Sequence, residues 1–245
     1  MIKSLLADLD FSAEKKHTYV LLLSAPVLLS LYYYHGAPSR FLEYFPSFVN
    51  EENTALYGHY WQFLCLFVLV GMLPFFYWVG VMKAPLTQLG LGLGDWKKGL
   101  LLVLILVPLM VVPLIWIAAG MPDIRGEYPM FRALYQKPQL FWRYEIAYIL
   151  LYYVAWEFFF RGFLLFGLAR DRDMGATNAI LIQTISSCLI HLNKPESETL
   201  ASIATGIILG VITLRTRSIW YAFVLHASVG VLTDYFVLLR TGGIF

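Results

Sequence analysis

An all-α, polytopic transmembrane helix bundle is the fold class this sequence predicts, and three observations predict it. First, 59% of the 245 residues are hydrophobic and 14% are charged, where soluble domains have roughly 45–50% apolar and about 25% charged residues. The mean hydropathy of +0.67 points the same way. Second, apolar runs recur at 17–34, 60–82, 99–119, 144–168, 175–191, 200–214 and 219–239, which gives about seven spans (six to eight). A spanning helix needs about 20 mainly apolar residues. Third, strand alternation is absent, and helices satisfy their own backbone groups in lipid.

The elements follow in order. The first run comes after Lys15 and Lys16 and reads as an uncleaved signal anchor. The second and third runs are long enough to cross outright. The fourth contains Gly162 and Gly167, which weaken a helix, so a break near 162–170 is expected. The fifth and sixth are short and are expected to tilt or to be buried within the bundle. The longest connections, 35–58 and 120–140, leave no room for a soluble domain. Residues 1–140 and 141–245 therefore form two parts of one integral bundle, without an internal repeat.

Charge sets orientation and excludes some partners. One side of the membrane takes Lys3, Lys15, Lys16, Lys83, Lys97, Lys98, Arg170, Arg172, Arg215 and Arg217; the other takes Arg40, Arg125, Arg132, Lys137, Arg143, Lys194 and Arg240. Ten against seven favours a cytoplasmic N terminus in a bacterial-type plasma membrane, and seven spans then put the C terminus outside. The net charge of +2 is too small to suggest nucleic acid. Cys65 and Cys188 show no CxxC spacing and read as packing residues.

The chemistry lies in the ionisable groups inside apolar runs, which are costly there and functional by default. They are Glu157, Arg161, His191, His226 and Asp234, with Glu198 at the start of the sixth run. Glu157 and Arg161 share a helix face at i,i+4 spacing. Their plain reading is a structural ion pair. His191 ends a span, and His226 lies within the last one. Gly230 follows His226 at i+4 and allows close backbone approach; Asp234 follows at i+8 and is a candidate to orient His226. A carboxylate, two imidazoles and an arginine on separate spans are the ingredients of hydrolysis, in which a base activates water and donors stabilise an oxyanion. Glu157, His191 and His226 are also a conceivable metal set, with zinc the natural ion, though no HExxH pair occurs.

The phrases WEFFFRGFLL, HLNKPESE and RTRSIWYAFVLH, within residues 145–239, resemble the CAAX-protease and bacteriocin-processing family of intramembrane endopeptidases (the type II CAAX prenyl endopeptidase or Abi family). That resemblance implies a glutamate-type endopeptidase, favoured over a metal type, acting on a membrane-embedded or lipidated polypeptide in the bilayer. Residues 141–245 then carry the catalytic core. Glu157 activates water, His191 assists, Arg161 orients Glu157 and His226 stabilises the oxyanion. Glu196, Glu198 and Asp234 are supporting carboxylates.

The chain departs from the family pattern at three positions. The family's Glu-Glu-x-x-x-Arg becomes Trp156-Glu157-x-x-x-Arg161. Its Phe-x-x-x-His becomes Ser187-x-x-x-His191, and its His-x-x-x-Asn or Asp becomes His226-x-x-x-Gly230. The sequence carries no CAAX box of its own. Two other classes stay open: an inactive relative that binds a membrane partner or lipidated peptide, and a proton-coupled transporter. Against the transporter stand the lack of repeats and the scarcity of ionisable groups in the first three spans.

Overall fold

The computed structural model describes residues 13–50 and 52–242; Lys3 of the charge count and the C-terminal residues 243–245 lie outside them. Among the described residues there is no strand. Six helices are long and apolar enough to cross a membrane: α2 (Thr54–Met82), α3 (Trp96–Ala118), α4 (Pro138–Ala169), α5 (Gly175–Asn193), α6 (Glu196–Thr216) and α7 (Trp220–Arg240). They are preceded by α1 (Lys16–His35), 20 residues long, so the bundle has about seven spans. The protein is an integral membrane protein.

Several helices extend beyond the apolar runs that predict them. α2 begins at Thr54 and α4 at Pro138, because polar and aromatic residues at the membrane surface continue the helix. α6 begins at Glu196, whose carboxylate and that of Glu198 lie in the first turn, where the helix dipole favours negative charge. α3 starts at Asp95, which accepts a hydrogen bond from the Lys98 backbone N–H at 3.2 Å. α2 and α6 stop at Lys83 and Arg217, both in the left-handed backbone region.

α4 is the axis of the bundle. In its most apolar stretch 67% of residues are buried, against 6% in α3, whose Leu104, Leu109 and Ile117 face lipid. The aromatic run Phe158–Phe160 and Phe163 packs with Leu21 of α1 and Leu66, Val70 and Trp78 of α2 in one core. The break expected near 162–170 does not occur. The helix runs on through π-type turns over Phe158–Phe166. Gly162 and Gly167 instead admit neighbours. A Cβ at 162 would sit 3.1 Å from the Leu89 carbonyl oxygen, and one at 167 would collide with Leu21.

At one end of the bundle a loop is strapped to the α6–α7 turn. Trp220 Nε1 donates to the Leu91 carbonyl and Tyr221 Oη to that of Leu93, both at 2.8 Å. The opposite end, where α1 ends and α2 begins, is loosely closed by the 119–137 connection and holds a cavity.

α5 and α6 pack through Gly206, where a Cβ would lie 2.9 Å from the Thr184 side chain. Overfilling a packed interior costs about 1–3 kcal/mol. Gly206→Leu is therefore expected to lower the unfolding temperature in detergent by about 2–4 °C per kcal/mol lost, while the lipid-facing Ile207→Ala leaves it near wild type. Equal melting of Gly206→Leu and wild type would contradict this packing.

Candidate active site

The last α-type turn of α4 before the π-type turns carries Glu157, and the π-type turns carry Arg161, into the centre of the bundle, with side chains 0% and 2% exposed. Such turns are frequent at functional sites. Two charges in this setting must be paired, since burial away from water costs several kcal/mol each. Glu157 is paired twice. Its Oε1 lies 2.6 Å from His226 Nδ1 of α7. Its Oε2 lies 3.2 Å from Arg161 Nε, an ion pair without hydrogen-bond alignment, and Arg161 Nη1 has no partner among the described residues.

These partners fix the state of both imidazoles. A carboxylate only accepts, so His226 Nδ1 carries the proton and donates it to Glu157. His191 Nδ1 donates to the Ser187 carbonyl at 2.8 Å by the same logic. Each ring thus keeps Nε2 free of protein partners among the described residues. Both rings line a cavity of about 430 Å³. Arg161, Trp156, Tyr153 and Glu198 line it too, whereas Glu157 lies behind His226 and does not.

Trp156 occupies the space between the two histidines. Its ring is T-shaped to His191 at 5.6 Å and to His226 at 6.1 Å, and it stacks on Tyr152 at 5.6 Å. The indole N–H is buried without a partner. The residue at the family's first glutamate position is therefore a wall of the cavity and cannot be a base.

Gly230 has a similar explanation. A Cβ there would collide with the Tyr153 hydroxyl. The Tyr153 ring also packs edge-on against His226 at 4.9 Å. The polar group absent from α7 is supplied across the interface by α4.

Glu198 reaches the cavity from the first turn of α6. Its Oε1 accepts from the Tyr128 hydroxyl at 2.8 Å, and its Oε2 is buried without a partner. Burial first, and the Glu198 carboxylate second, push the Tyr128 hydroxyl well above the usual tyrosine range, so it stays a donor. Lys194 Nζ, nearby, is bound to Glu127 Oε1 at 2.6 Å.

The structure thus brings together Glu157, Arg161, His191, His226 and Glu198, but not Asp234. Asp234 is buried and interacts with Glu145 at the start of α4, while His226 is oriented by Glu157. Glu196 is exposed. Sequence reasoning missed Glu145, Tyr128 and Tyr153. Tyr153 had a signal, since 153, 157 and 161 recur at i,i+4. The proposed metal set does not fit this arrangement. Glu157 and His226 spend their facing atoms on each other, and no group of three His, Cys, Asp or Glu side chains converges among the described residues.

Breaking a buried ion pair by removing one partner costs about 3–5 kcal/mol, whereas removing both can be nearly neutral. Arg161→Met is expected to destabilise by that order and Glu157→Gln/Arg161→Met by less. Unfolding of wild type, Glu157→Gln, Arg161→Met and the double variant in detergent checks this; additive losses would contradict the pairing.

When the chain is compared with known families, residues 138–232 match the family model described as "Rce1-like: Type II CAAX prenyl endopeptidase Rce1-like". No curated protein and no solved structure matches it.

Proposed function

Because the C-terminal membrane region of this chain, residues 138–232, belongs to the type II CAAX prenyl endopeptidase family, we propose that the protein is an intramembrane endopeptidase that hydrolyses a peptide bond of a membrane-embedded or lipidated polypeptide. One observation carries the reading beyond the family. Two histidines from different spans, each with Nδ1 tied down, expose Nε2 to the same cavity.

The division of roles follows from that geometry. Glu157 has both oxygens on protein partners and no face on the cavity. The water-activating role expected of it passes to a group that faces the substrate. Glu157 instead acts as the positioning residue that holds the His226 tautomer, and Arg161 completes its pairing. The Tyr153 hydroxyl donates to the carbonyl oxygen as charge develops there, and His226, when doubly protonated and ion-paired with Glu157 through Nδ1–H, adds an Nε2–H donor at the same wall. His191 Nε2 assists proton movement from the opposite side of Trp156. The cavity lies near the bundle end carrying Arg40, Arg125, Arg132 and Lys194. The charge bias puts that end on the non-cytoplasmic side, with the N terminus cytoplasmic in a bacterial-type plasma membrane.

A second reading has a specific observation behind it. Trp156 narrows the site where the family carries a carboxylate, which suits a module that binds a lipidated peptide without cleaving it. Expression of wild type, His226→Ala and Glu157→Gln at matched membrane levels separates the two. New peptide termini in the membrane fraction are read by mass spectrometry, with and without a chelator. The peptidase reading expects wild type to create termini that His226→Ala loses by about 10²–10³-fold. Glu157→Gln is expected to lose less, because an amide oxygen can still accept from His226. Identical termini in all three would leave the binding module in its place.

A further inference from the structure

We infer that Glu198, on the first turn of α6, is the catalytic carboxylate that activates the hydrolytic water. This inference rests on the peptidase reading and deepens it.

Three observations converge on Glu198. Among the described residues that line the cavity it is the one carboxylate, since Glu157 sits behind His226 and Asp234 is engaged with Glu145. Its two oxygens are differentiated. Tyr128 donates to Oε1 at 2.8 Å and locks the carboxylate plane, which leaves Oε2 buried with no partner. A buried acceptor with no donor is costly, and a small turn of the side chain that brings Oε2 to the cavity lets a water molecule satisfy it. Glu198 and His226 line the same cavity, so base and oxyanion donor address one space.

The step balances on these groups. Glu198 Oε2 takes a proton from water as the water oxygen bonds to the scissile carbonyl carbon. The carbonyl π electrons move onto oxygen, where the Tyr153 O–H and the Nε2–H of a doubly protonated His226, ion-paired with Glu157, stabilise the charge. On collapse the C–N bond breaks, its electrons go to nitrogen, and the proton held by Glu198 passes to the leaving amine. The products are a carboxylic acid and an amine, and Glu198 is again ionised. Lys194 does not neutralise it directly, because its ammonium is committed to Glu127.

The test uses membranes in which wild type generates His226-dependent peptide termini, the host's own membrane proteins serving as substrates. Glu198→Ala, Glu198→Gln and the exposed control Glu43→Gln are expressed at matched levels and assayed with and without sodium formate. The proposal expects at least a 100-fold loss in both Glu198 variants, wild-type rates in Glu43→Gln, and at least tenfold recovery of Glu198→Ala by formate. Formate fits the vacated space and returns a carboxylate, which a merely structural loss would not answer to. Glu198 variants within threefold of wild type overturn the assignment and leave the peptidase reading standing. A loss that formate does not restore overturns it too, by assigning Glu198 to the packing of Tyr128. A wild type with no His226-dependent termini removes the peptidase reading itself.

Discussion

The hydrogen bond from His226 Nδ1 to Glu157 Oε1 is the contact on which the rest of this structure depends. A carboxylate inside a membrane bundle is costly unless its charge is matched. Glu157 is matched by Arg161, four residues on and ion-paired with Oε2, and by His226 of another helix, hydrogen-bonded to Oε1. The first pins the charge to α4, and the second ties α4 to α7. The neighbouring α4 side chains Trp156, Phe158, Phe159 and Phe160 are buried and aromatic, which strengthens the pairing by limiting water on that side. The most buried helix of the bundle is therefore also the one that carries the charge.

The same contact decides what the site can do. Tying Nδ1 to Glu157 leaves Nε2 of His226 to the cavity, and a backbone carbonyl does the same for His191. The cost is that Glu157 does not line the cavity. Trp156 then separates the two rings. Polar groups from outside the family's motifs, Tyr153, Tyr128 and Glu198, complete the cavity wall. Loss of a motif residue in sequence is thus not loss of its chemistry in space. The Tyr153 hydroxyl stands where an α7 side chain is missing, and α6 offers a carboxylate where α4 has an indole.

The spans were legible in the sequence because hydropathy is summed over about 20 residues, and a sum tolerates local irregularity. Their ends were not. Thr54–Gly58 is mixed and Glu196–Glu198 polar, yet both are helical, because helix dipoles and surface contacts continue the turn past the apolar run. The residues Glu157, Arg161 and His226 were legible because a charge in an apolar run stands out. Which of them touch was harder to read. At about 100° per residue, eight positions leave Asp234 roughly 80° round the helix from His226, enough to send it to Glu145. Tyr128 lies in a connection, and only the fold brings it beside Glu198. Glu145 lies near the head of the apolar run of α4 and is not singled out by the sequence, and its burial beside Asp234 comes from the fold.

The central claim is that Glu157 holds the His226 ring with a proton on Nδ1 and leaves Nε2 to the cavity. Nitrogen-15 NMR of histidine-labelled protein in detergent or lipid measures this directly, with the His226 signals assigned by their loss in His226→Gln. The account predicts a protonated, hydrogen-bonded Nδ1 in wild type and loss of that signature in Glu157→Ala. A bare Nδ1 in wild type, or a tautomer indifferent to Glu157, would contradict it.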